Sequence, residues 1–99
     1  MALKGIIRGV RGVGGLLTLD IELPSGSVVH LHGDNGPTVR ALDAVYGGVI
    51  VPGHGFDASH LVGMPIEFDV DEMMPMLINM IYPIEIDDRH QDSRRGGDE

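Results

Sequence analysis

His30 and His32 stand two residues apart in "VVHLHGD", and Asp20 and Glu22 stand two apart in "LLTLDIEL". Residues two apart on a strand share a face, so each pair projects to one side. A hairpin closed through Ser25-Gly26-Ser27, with both apolar faces on the same side, pairs Leu23 with Val29 and Ile21 with Leu31. It sets Glu22 opposite His30 and Asp20 opposite His32, with facing β-carbons about 5 Å apart. Two carboxylates and two imidazoles at that spacing form a donor set suited to Zn, Mn or Fe(II). The same four residues also describe a solvated face with two charge-compensated pairs, or a pH-responsive interface in which the acids raise the histidines' basicity. The solvated face is the expectation, and no cofactor is expected.

A second candidate lies in "RGVRGVGG" and "NGPT". Arg8 and Arg11 beside Gly14 and Gly15, with Thr38 at a helix start, form a weak anion or phosphate cradle. It matches neither the P-loop nor the dinucleotide fingerprint. Nucleophilic catalysis is disfavoured: there is no cysteine, no serine in a nucleophile-elbow pattern and no Glu-x-x-His pair. Glu67, Asp69 and Asp71 alternate with Ile66, Phe68 and Val70 in "MPIEFDVDE". They read as the outward, acidic side of a strand rather than as a catalytic pair.

The segment "DEMMPMLINMIYPIEI" is too apolar for a strand exposed on two sides. Met73, Met74, Met76, Met80 and Tyr82 are the residues expected to meet a second subunit or a partner protein, because methionine adapts to irregular contacts and exposed apolar edges promote association. The alternative is that the connection 49–62 folds over this strand within one chain.

These residues need a scaffold. Residues 2–10 read as a first strand with bends or bulges at Gly5 and Gly9, followed by a flexible loop over "RGVGG". Residues 16–23 alternate cleanly, and residues 28–32 give a third strand with Val29 and Leu31 inward. The apolar spacing of Val39, Leu42, Val45 or Tyr46, and Val49 predicts a helix over 37–46, with Pro37 at its first position and Gly47-Gly48 at its end. A short strand, a turn and one helical turn begun by Asp57 or Ser59 follow. Strands over the "MPIEFDVDE" and "MLINMIYPIEI" segments complete the list. The class is mainly β with one helix (α+β). Three strands, a helix and two strands resemble the element order of the OB-fold, a small partly open five-stranded barrel. An SH3-like barrel with the helix inserted between strands 3 and 4 would read almost identically. Residues 1–86 are expected to form one such domain, and 87–99, without an apolar residue, a disordered polar tail.

Charge narrows the partners. The net charge is −8, and residues 13–86 hold ten acids against the single base Arg40. Phosphates would be repelled by that body, and with no Trp, two Phe and two Tyr there is no stacking platform, so direct nucleic-acid binding is disfavoured. Arg8 and Arg11 interrupt the apolar N-terminal stretch, so neither a signal peptide nor a membrane span is expected. The reading is a non-catalytic, cytoplasmic, acidic module that oligomerises or binds protein. The acidic face of Asp20, Glu22, Glu67, Asp69 and Asp71 would engage a basic partner, as an inhibitor mimicking nucleic acid. Alternatively, subunits would join their Arg-Gly loops around a small phosphorylated ligand, or the His/acid set would hold a metal.

Overall fold

The structure, a computed structural model, describes residues 2–83. Five strands form one antiparallel sheet: β1 (Leu3–Val13), β2 (Leu16–Glu22), β3 (Val28–Asp34), β6 (Pro65–Val70) and β7 (Ile78–Ile81), in the order β3-β2-β1-β6-β7. A helix, α1 (Asn35–Tyr46), separates β3 from a two-stranded ribbon, β4 (Ile50–Val51) with β5 (Gly55–Phe56). A single 3-10 turn, Ser59–Leu61, leads into β6. Its start is fixed by Asp57, whose Oδ1 accepts hydrogen bonds from the Ser59 amide (3.0 Å) and hydroxyl (2.7 Å). No helix among the described residues is long and apolar enough to cross a membrane.

The mainly-β class with one helix is what the apolar spacing predicts; closure of the sheet is not seen. Its two edges, β3 and β7, meet at one point, where the His32 amide donates to the Met76 carbonyl (2.7 Å) in an isolated parallel bridge between His32 and Leu77. Helix α1 packs against β2, β3 and β7 and so spans both edges. Leu17, Leu19 and Ile21 of β2 join Ile7, Ile66 and Phe68 in the core, and Leu42 seals it from the helix side.

Several local readings need correction. The "RGVGG" segment is not a free loop: β1 continues to Val13, and only Gly14-Gly15 turn the chain, with Val13 paired to Leu16. Gly14 alone of the two has a positive φ (60°), as a two-residue type II′ turn requires at its first central position. The β2–β3 loop is Pro24-Ser25-Gly26, one residue earlier than expected at each end. The Leu23 amide donates to the Ser27 carbonyl (2.8 Å), and Gly26 takes the left-handed position (φ 94°) of a three-residue hairpin loop. The helix starts at Asn35, two residues before Pro37, which falls in the first turn where a missing N–H breaks no helical bond. It ends at Gly47 (φ 79°), whose amide donates to the Asp43 carbonyl. The last strand is shorter than expected. Its predicted end, residues 84–86, and the polar tail predicted from residue 87 lie outside the described residues.

Candidate functional site

The earlier loop moves the β2–β3 register by two residues. Asp20 now faces His30 and Thr18 faces His32, while Glu22 faces Val28. An even shift keeps every side chain on its expected face, so both histidines remain outward while Leu31 is buried. It changes their partners. His30 Nδ1 lies 2.6 Å from Asp20 Oδ1, and His32 Nδ1 lies 2.9 Å from Thr18 Oγ1. Glu22 turns away to Arg8. Among the described residues no group of three or more His, Asp or Glu side chains could share a metal ion. The sequence's four-residue donor set is therefore not assembled.

The arginines go to the acids rather than to a cradle. Arg8 Nε donates to Glu22 Oε1 (2.7 Å), and Arg11 Nη2 donates to Asp20 Oδ1 (2.8 Å). A bulge between Ile7 and Gly9 makes this possible. It adds one residue, so Arg8 and Arg11 both point outward while Ile7 and Val10 pack inward; an unbroken strand would turn Arg11 into the core. Gly9 gives the Asp20 carboxylate room, since a β-carbon there would lie 2.8 Å from Asp20 Oδ2. The His30 hydrogen bond is the main cause holding the Asp20 carboxyl below its ordinary range; burial opposes it, and Arg11 adds a further lowering.

The remaining cradle residues do not join them. Thr38 is buried against Gly33, where a β-carbon would lie 2.2 Å from its Oγ1. Gly14 and Gly15 occupy the hairpin tip, and the Gly15 carbonyl accepts from the Asn35 amide (2.9 Å), pinning that hairpin to the start of the helix. His60 is structural as well, contacting the Gly47 carbonyl with Nε2 at 3.0 Å. Sequence reasoning missed a cleft of about 500 Å³ beside α1, lined by Arg40, His54 and Phe56 among others. Its walls come from the first turns of α1 and the β4–β5 ribbon that follows it, and it exists only because the ribbon folds back beside the helix start.

The acidic residues do not share one face evenly. Asp20 and Glu22 are compensated by arginines, and Glu67 pairs in register with Lys4. Asp69 accepts a hydrogen bond from the Tyr82 hydroxyl, which raises the Tyr82 phenol's pKa. Asp71 Oδ1 accepts from the Met73 (2.8 Å) and Met74 (3.0 Å) amides and so shapes the β6–β7 connection. Around that connection the methionines are exposed: Met73 at 89%, Met74 and Met76 at 50%, and Met80 at 54%. On β7, Ile81 is buried and Ile78 packs against the core, while Asn79 and Met80 are exposed.

With this geometry in hand the chain was compared with known proteins. No protein family, curated protein or solved structure matches it. The function must be read from the surface alone.

Proposed function

We propose that the chain is a non-catalytic, acidic interaction module that self-associates through the edge strand β7 and the Met-rich connection that precedes it. The observation that carries this reading is the exposure of Met73, Met74, Met76 and Met80 around one short edge strand. The inner face of the sheet is covered, with Phe68, Ile7, Leu17, Leu19 and Ile21 fully buried, while Leu3, Ile6, Val13, Leu16 and Val28 elsewhere on the sheet are exposed. A short edge strand with flexible, polarisable side chains on its open face is suited to pair with another copy. Removing those methionines from water supplies an apolar driving force of about 25 cal/mol per Å² covered.

The scaffold in this proposal is an OB-like barrel, partly open. Its support is the strand order, the parallel approach of the two sheet edges at His32 and Leu77, and a helix placed after the third strand and packed on both edges. That helix placement favours the OB-like form over the SH3-like one. The module's setting in this reading is the cytoplasm.

The test is the solution mass of the full chain with and without Met80→Lys. A multiple of the 10.6 kDa chain mass that falls to monomer in the variant, with an unchanged Tm, is the expected result. A monomer at every concentration, or an oligomer indifferent to Met80→Lys, contradicts it.

A further inference from the structure

We infer that the end of the sheet away from the Gly14-Gly15 turn is a docking groove for an extended basic segment of another protein, anchored by one large apolar side chain. This surface shares Met73 and Met76 with the self-association surface proposed above, and adds to them an apolar pocket and the carboxylates of Asp71 and Glu72.

Two depressions meet there. The first, about 410 Å³, is walled by side chains of three strands, Leu3 of β1, Val29, His30 and Leu31 of β3, and Phe68 and Val70 of β6, with Met76 beside them. It lies where β3 and the β6–β7 connection part company, just short of the single bridge at His32. A pocket of that size accepts one aromatic or branched aliphatic side chain with room for its neighbours. The second, about 580 Å³, shares Val70 and Pro75 with the first and is lined by Asp69, Asp71, Glu72 and Asn79, with no basic residue. Asp71 is hydrogen-bonded to neutral backbone amides, which position its carboxylate without cancelling its charge. Neither Asp71 nor Glu72 pairs with a cation among the described residues.

Charge selects the occupant. Another copy carries −8 and would bring like charge to Asp71 and Glu72, so the self-association proposed above is centred on Met80 of β7 rather than on this depression. A phosphate-bearing ligand fails for the same reason. A segment that places its apolar anchor in the first depression and a lysine or arginine in the second satisfies both at once. Its backbone would run beside Val28–Leu31 of β3, an edge of the sheet, in the manner of an added strand.

The chain has no Trp, so the emission of a Trp-containing peptide reports binding without background. The probe is a synthetic peptide with one Trp flanked on both sides by Lys, titrated with the full-length chain. Its control keeps the Trp and replaces Lys with Glu. The expected result is blue-shifted emission for the Lys peptide alone, with affinity falling about tenfold or more when salt rises from roughly 50 to 500 mM. Glu72→Lys should weaken binding at least about tenfold by reversing one charge at the contact. Met76→Glu should remove binding at unchanged Tm, and Met80→Lys should leave it intact. Absence of binding, equal binding of the Glu peptide, or indifference to Glu72→Lys overturns the inference. Self-association is screened from like-charge repulsion by salt and should persist where peptide binding fades, so either reading can fail while the other stands.

Discussion

Asp20 collects the polar face of the sheet, accepting from both Arg11 and His30 through one oxygen. These groups are substantially exposed, with side-chain accessibilities of 57% for Arg11 and 61% for His30. Solvent therefore screens most of the attraction, and Asp20→Asn should cost no more than about 1 kcal/mol in a denaturant titration. Added Zn should leave the Tm of either protein unchanged, because Glu22 is held by Arg8 and the four-ligand set does not form. A Zn-dependent rise in Tm would contradict that geometry. Asp20, Asp43 and Asp57 all have lowered pKa values: Asp20 chiefly from His30, Asp43 from the Ile50 and Val49 amides, and Asp57 from the Ser59 amide. A depressed folded value means that their stabilisation is present above the ordinary 3.8 and is lost as pH falls through the lowered values. Acid unfolding below that point should therefore be blunted in Asp43→Asn, which has no such carboxylate to protonate. At the other extreme, burial pushes the Tyr46 phenol up to about 12, and its hydroxyl donates to the Pro65 carbonyl. Its contribution is complete below pH 10 and is lost as pH rises toward 12, so Tyr46→Phe should flatten the alkaline limb of the stability curve.

At the scale of elements, two glycines set how closely segments approach. A β-carbon at Gly5 would lie 2.4 Å from Ile21 Cγ2 and 2.7 Å from the Glu22 carbonyl oxygen. One at Gly33 would displace Thr38 and lift the first turn of α1. Gly5→Ala and Gly33→Ala should each cost about 1–3 kcal/mol, as overpacked core positions do, measured by thermal or urea unfolding. Leu42→Ala should cost about 2–5 kcal/mol by opening a cavity where the helix meets the sheet. Much of this layer was legible in the sequence. The alternation in "LLTLDIEL", the bend at Gly9 and the turn chemistry of "PSGS" all carry local signals. The exact loop in "LPSGS" does not, because three-residue and shifted loops use the same glycine; only the face of each side chain survives a slip of two. The bulge at Gly9 was foreseen, but not its effect on Arg11, since its parity change matters only once β2 lies beside β1. The pairing of Arg8 and Arg11 with Glu22 and Asp20 follows from that adjacency and from nothing nearer in sequence.

For the molecule as a whole, compensation is uneven, and this gives the surface its character. Cations of β1 neutralise the acids of β2, leaving Asp71 and Glu72 beside an apolar groove and four exposed methionines. Composition announced the charge and the excess of methionine. It could not show that both meet at the β6–β7 connection, because the groove is assembled from β1, β3, β6 and the connections between strands. The surface reading stands or falls on association. Light scattering of the full-length chain at low and high salt is its most direct test. An oligomer that persists at high salt and dissolves on Met80→Lys is the predicted result. A monomer at both salts would contradict self-association through β7.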